Sequence, residues 1–371
     1  MKLKNRLLAA LLGLSLLLCS CAENSSAGNS SDSSSPVTSQ TTTTTQTTTQ
    51  STQQATTTSA QTSTVTTQDT SESGKLTQTS PQQPADKVQG VPMWEGTAPN
   101  GNKITFLGSM HAARDNFYPL PEKIRKAYEQ AEIIAVECDT ESAVDESLQF
   151  ELQQKMTYSD GTLLKDKLSP EAYKVMCDQL TELGSSAETL SNYRPWAAYE
   201  MLSTMMILSS DIKVANGVDY YFMKQAKTDG KQLYELESYQ AQVDMLTNEP
   251  DQLYDALFRL SKNQTKQSYL DETTQLYEAW LKGDLEQIEA LSVLPSDEEL
   301  KKEGMSDEDI RLLKNRNKVQ LDDRNVVMAN RIKELFTQGK KTFVTVGIGH
   351  YIGDKGLISL LQKQGYTFRR I

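Results

Sequence analysis

The chain has 371 residues and carries 49 acidic against 38 basic side chains, a formal charge of −11 with its two histidines neutral. That balance argues against a nucleic-acid partner, which needs a basic face to neutralise phosphates. Four cysteines with no C-x-x-C element argue against a thiolate zinc site.

Lys2, Lys4 and Arg6 precede an apolar run, Leu7 to Leu18, that is too short to span a bilayer and reads as an export signal. It ends in Leu18-Cys19-Ser20-Cys21, which resembles the lipobox of bacterial lipoproteins, with Cys21 as the expected acylated residue. This makes residues 1–20 a signal peptide and predicts an extracytoplasmic protein held to the bacterial cell membrane by a lipid on Cys21. Residues 21–88 are nearly all Ser, Thr, Gln, Asn and Gly; between Gln40 and Gln68 the one large aliphatic residue is Val65. Such a segment buries too little apolar surface to offset its ordering entropy, so a disordered tether is expected, with a reach of roughly 45 Å.

Residues 89–371 are long enough for one folded domain. Pro92–Glu95 and Lys103–Leu107 flank a hairpin turn at Pro99–Asn102, and the second run continues into Gly108-Ser109-Met110-His111. A helix over Glu122–Ala131 leads to the apolar run Ile133–Val136, which ends at Glu137, a strand–helix–strand order that suggests parallel pairing. The middle is mainly helical: a start at Ser169-Pro170-Glu171 with a stop at Gly184, then Pro195–Ser209, Val218–Thr228, Tyr239–Leu246, Leu253–Arg259 and Tyr269–Leu281. Within it lies a strand, Gln232–Leu236, ending at Glu237. Ser306-Asp307-Glu308 opens a further helix that leads towards Asp322–Gln338. The strand Phe343–Val346 then runs into Gly347-Ile348-Gly349-His350, followed by a helix over Lys355–Gln364 and a last strand at Tyr366–Arg370. The expected architecture is α/β, a central sheet built from two βαβ-like halves that each carry a Gly-x-x-His motif, with a large helical insertion between them.

The two histidines close matched tetrapeptides after matched strands, which argues that they work together. Glu137 and Glu237 end strands of the same kind, and ligands of open α/β sheets gather beyond the carboxyl ends of strands. If the four strands are parallel neighbours, two imidazoles and one or two carboxylates converge, a donor set suited to zinc, manganese, cobalt or iron. Such a metal acidifies water and polarises a carbonyl, and a spare carboxylate serves as base. Glycines 108, 347 and 349 would permit tight or left-handed turns and close backbone approach. A structural salt bridge from Glu137 to Arg194 or Arg324 is the alternative to a catalytic carboxylate. Glu235 lies on the same strand face as Glu237, so periodicity does not separate them. Arg194 and Arg324 suit a substrate carboxylate or a supporting role, Asp219 and Asn325 a helix start or site wall. Cys138 and Cys177 are either bridged or free.

These residues resemble the TraB/GumN family, which includes the membrane-tethered Tiki metalloproteases. The likeness spans nearly all of residues 90–371. It runs through Phe106–His111, Pro119-Leu120-Pro121, Val136-Glu137, Arg194-Pro195-Trp196, Gly217-Val218-Asp219, Leu236-Glu237 with Gln242, Arg324-Asn325, Val346–His350, Gly353 and Gly365-Tyr366. The resemblance implies that His111, Glu137 and His350 form a metal-dependent hydrolytic centre, with manganese, cobalt or zinc as the cofactor and a peptide or protein as substrate. It also implies an α/β fold akin to erythromycin-esterase-like and ChaN-like proteins. No HExxH helix is present, which sets the chain apart from zincin peptidases. Two other readings stay open: a non-catalytic protein that captures a peptide signal or a metal complex, and a metal-free, histidine-based hydrolase.

Overall fold

Met93–Thr97 (β1) and Lys103–Ser109 (β2) form the antiparallel hairpin that the sequence predicts, closed by Gly101 at φ 86° and by the Ala98 amide donating to Asn102 O at 2.8 Å. The computed structural model describes residues 90–140 and 146–371. The expected signal peptide, Cys21 and the tether lie outside the described residues.

Ile133–Val136 (β3), Gln232–Glu235 (β4), Thr342–Gly347 (β5) and Thr367–Arg370 (β6) complete a mixed six-stranded sheet in the order β4-β3-β5-β2-β1-β6. β4, β3, β5 and β2 pair in parallel, whereas β1 is antiparallel to both β2 and β6. β3 and β5 are buried along their whole length, as expected of parallel strands covered on both faces. The strand order differs from two successive halves. β5 comes from near the end of the chain yet lies between β2 and β3, and β6 adds beside β1 rather than β5. The two histidine-bearing strands are therefore direct neighbours.

Helices occupy the connections. Glu122–Gln130 (α1) joins β2 to β3, and between β3 and β4 lie Glu146–Met156 (α2), Pro170–Glu182 (α3), Pro195–Leu208 (α4) and Val218–Thr228 (α5). Between β4 and β5 come Tyr239–Thr247 (α6), Asp251–Leu260 (α7), Lys266–Lys282 (α8), Leu285–Ser292 (α9), Asp297–Lys302 (α10) and Asp307–Asn317 (α11). α11 runs through a π-helical segment, Lys318–Asp323, into Arg324–Gln338 (α12). The helix opened at Ser306 thus leads into the 322–338 stretch as expected, and wide π turns of the kind that joins them concentrate at functional sites. Leu357–Gln362 (α13) returns the chain to β6.

α4 is apolar nearly all round and buried, with α7 packed against it, and α7 also contacts α3 and α11. Trp280 on α8 is fully buried and donates its Nε1–H to Gly108 O at 2.7 Å, which anchors the end of β2. Cys138 and Cys177 are free thiols, so no disulfide joins them. Among the described residues no helix is long and apolar enough to cross a membrane.

Candidate active site

Each strand of the parallel quartet ends in one of the four expected residues. His111 follows β2, His350 closes a 3-10 turn (Ile348–His350) after β5, and Glu137 and Glu237 follow β3 and β4. The β3–β4 ladder continues past the strands: the Leu236 amide donates to Val136 O and the Glu237 amide to Glu137 O, both at 2.9 Å. That places the two glutamates side by side.

His111 and His350 turn towards Glu137, with Nε2 of each ring 3.8 Å and 3.9 Å from Glu137 Oε1. These separations are too long for hydrogen bonds. Each ring's Nδ1 is braced at 2.7 Å, His111 by Asp219 Oδ2 and His350 by Asn325 Oδ1. An amide oxygen only accepts, so His350 carries its proton on Nδ1 and presents a bare Nε2. Burial pushes His350 down to about 3, so that tautomer is neutral at pH 7. Burial would also lower His111, but the Asp219 carboxylate and then Glu137 outweigh it and raise the ring to about 9.

The braces follow from local structure. Asp219 lies in the first turn of α5, whose start is pinned beneath the histidine loop by the Val218 amide donating to Met110 O at 2.9 Å. A Cβ on Gly217 would come within 2.7 Å of His111 O, so only glycine allows this approach. Asn325 opens α12 and donates its Nδ2–H to Lys355 O at 3.0 Å, which fixes its oxygen towards His350. Both residues stand at helix starts in the site wall, one of the places the sequence allows them, but their hydrogen bonds to the imidazoles are not readable from the sequence.

Glu137 is held by a different set. Its Oε1 accepts the Gly347 amide at 2.8 Å and its Oε2 accepts Arg324 Nη2 at 2.7 Å. Burial would raise this carboxyl; His350, Arg324, His111 and the Gly347 amide together hold it well below the usual carboxylate range. A Cβ on Gly347 would meet His111 Nε2 at 2.7 Å and Glu137 Oε1 at 3.1 Å, so this glycine keeps the centre of the site open. Glycines 108, 347 and 349 are not left-handed; the first two serve close approach, whereas a Cβ on Gly349 would meet nothing nearer than Leu321 at 4.0 Å.

Arg324 also donates Nε to both Glu237 oxygens at 3.0 Å and Nη1 to Gln320 O at 3.2 Å, and Gln242 donates to Glu237 Oε1 at 2.7 Å. Glu237 is thus the site member of its pair, while Glu235 is exposed and accepts the Asp139 amide at 2.8 Å. Arg194 does not join the cluster. It stands at the start of α4 with its guanidinium 4.6 Å from the centre of the Tyr158 ring, because the Arg194 amide is tied to Met156 O at 2.8 Å. Arg324 commits four of its five N–H groups to Glu237, Gln320 and Glu137, which makes it a structural partner of the two carboxylates. Tyr351 stacks on Trp94 with ring centres 5.0 Å apart, a packed aromatic rather than an oxyanion donor.

A cleft of about 340 Å³ opens onto the cluster, lined at its inner end by Ser109, His111, Arg324 and His350. Glu137 sits behind the imidazoles and lines a much smaller cavity of about 20 Å³ with Asp219 and Gln242. Two imidazoles and a carboxylate, each oriented by a second hydrogen bond, match the donor chemistry of a divalent transition-metal site. Among the described residues, however, no group of three or more His, Cys, Asp or Glu side chains is placed so as to hold a metal ion. The reason is visible at Glu137, whose oxygens are both engaged by Gly347 and Arg324.

Comparison with known proteins gives the lineage. The chain is 23% identical over 155 residues to "Uncharacterized protein YbaP" of Escherichia coli (strain K12), and equally so to the protein of that name from Shigella flexneri. Each match covers 42% of this chain and 56% of the relative, so the chain spans little more than half the length of these curated relatives. No solved structure matches. The model of the TraB/PrgY/gumN family matches residues 92–370, which include every strand of the sheet and every residue of the cluster, and the chain belongs to that family.

Proposed function

We propose that the cleft is the active site of a hydrolase acting on peptide or amide bonds, with a divalent transition metal (manganese, cobalt or zinc) held by His111, His350 and Glu137. The observation that carries this reading is the matched bracing of the two imidazoles. Each ring engages an oxygen acceptor through Nδ1 and turns Nε2 to the same carboxylate oxygen, the arrangement that orients metal-binding histidines. When bound, the metal would acidify a water and polarise the substrate carbonyl. Asp219 and Asn325 fix the ring orientations, Glu237 fixes Arg324, and Arg324 keeps Glu137 ionised and aimed between the rings. The position of Glu137 behind the imidazoles leaves the cleft side free for substrate.

A second reading keeps the cleft and dispenses with the metal. It is favoured by the Arg324 and Gly347 contacts, which already balance the charge of Glu137 and leave His350 Nε2 unprotonated. Elemental analysis of protein purified without chelator, beside the His111→Ala, His350→Ala double variant, separates the two. About one transition-metal ion per chain, absent from the variant, is expected. Peptide cleavage that survives chelation would favour the metal-free reading. No cleavage of a peptide library with any added metal would sink both and leave ligand capture. The N-terminal sequence supports anchoring outside the cell membrane through a lipid on Cys21, tested by palmitate labelling of the wild type against Cys21→Ala.

A further inference from the structure

The charges along the cleft are one-sided. Arg324 at the inner end is ion-paired with Glu137 and Glu237 and bonded to Gln320 O. Lys355, which also lines the cleft, is bonded to Asp322 on the π-helical segment at 2.5 Å, and the His111 ring to Asp219 at 2.7 Å. Glu289 on α9 and Asp354 in the loop after β5 are exposed and line the same cleft. The two elements stand close, since a Cβ on Gly353 would lie 3.8 Å from Glu289 Oε1. Between these acids and the histidines the walls are apolar, formed by Met110, Leu276, Leu321 and Ile352, with Val293 half exposed.

A second feature points to a ligand independently. Ser109 and Gln320 line the cleft and are 1% and 3% exposed, yet Ser109 Oγ and Gln320 Oε1 have no hydrogen-bond partner. Buried polar atoms are nearly always paired, and an exception calls for a missing partner. A peptide unit offers what these two lack, a carbonyl for the Ser109 hydroxyl and an N–H for the Gln320 oxygen.

Resting on the hydrolase reading, we infer that the cleft binds an apolar peptide segment carrying a cationic nitrogen at its outer end, either a basic side chain or a free amino terminus, and disfavours acidic segments. Ser109 and Gln320 hold the backbone, the apolar walls take the side chains, and Glu289 and Asp354 take the positive charge.

Fluorescence anisotropy with the full chain tests this, using labelled peptides of one apolar core, acetylated and amidated, that differ in a single flanking Lys, Gln or Glu. A further Gln peptide with a free amino terminus distinguishes the two cationic sources. The Lys peptide should bind about tenfold more tightly than the Glu peptide at low salt, with the gap narrowing as salt is added. The Glu289→Gln, Asp354→Asn variant should bring the Lys-to-Gln ratio close to one. Equal affinities, tighter binding of the Glu peptide, or no binding of any peptide would overturn the inference. Charge-ranked binding without cleavage under any metal leaves it standing and sinks the hydrolase reading. Cleavage without charge ranking does the reverse.

Discussion

Arg324 and Arg316 stand on either side of the π-helical segment, and each is buried against two glutamates. At Arg324 every polar atom of the cluster has a partner: Glu237 takes bonds from Nε and Gln242, and Glu137 from Nη2 and the Gly347 amide. At Arg316 the pairing is incomplete. Nη2 donates to Glu200 Oε1 at 3.0 Å, Nε lies 3.6 Å from Glu249, and both Glu200 Oε2 and Arg316 Nε lack a hydrogen bond. The consequence is opposite carboxyls. Glu137 is held well below its usual range, whereas burial, only partly opposed by Arg316, pushes Glu200 up to about 7. Burial alone does not decide whether a carboxylate stays ionised; the count of donors around it does.

The most damaging way to break this comparison is Arg324→Met, which strands two buried carboxylates. It should destabilise the domain by about 3–5 kcal/mol, whereas Arg316→Met should cost less because Glu200 readily accepts a proton. Urea unfolding at pH 7 measures both, and equal losses would contradict the distinction. Next comes pH. The folded-state value of Glu200 is raised, so its contribution to stability is full below about pH 4.5 and is lost as pH rises through about 7. The expected loss is about 3 kcal/mol, absent from Glu200→Gln, and unfolding at pH 5 and pH 8 reads it directly. A lowered group such as Glu137 works in the other sense, its contribution present at neutral pH and lost on acidification.

Smaller effects sharpen the picture. Asn325→Ala and Asp219→Ala should each weaken metal affinity about 10–100-fold while leaving His111 and His350 in place, as titration with manganese or zinc would show. Unchanged affinity in both would remove the main support for the metal reading. Arg194→Leu forfeits only a cation–π contact on Tyr158, worth about 0.5–1 kcal/mol in thermal unfolding.

Much of the site was legible because strand ends announce themselves. Apolar runs closed by Gly-x-x-His or by a glutamate mark His111, Glu137 and His350 without knowledge of any pairing, whereas Glu237 is told from Glu235 only by its contact with Arg324. The order of buried parallel strands is not written in periodicity, since each reads as a uniform apolar run, and so the place of β5 between β2 and β3 was hidden. Asp219 and Asn325 act from the first turns of α5 and α12, and their partners depend on where those helices dock. Arg194 and Arg324 look alike in sequence; only the fold stacks one on Tyr158 and buries the other among carboxylates.

The interleaved strand order also sets a schedule. A growing chain emerges amino-terminus first, so His111, Glu137, Asp219 and Glu237 exist long before Arg324, Asn325 and His350 are made. β2 and β3 have no direct pairing, and β5, the last of the three to be made, is what joins them. Until the ribosome has added that strand, the sheet has a missing slat and the histidines cannot meet. A chain cut before β5 therefore lacks both His350 and the strand that joins β2 to β3, and the four strand-end residues are never brought together.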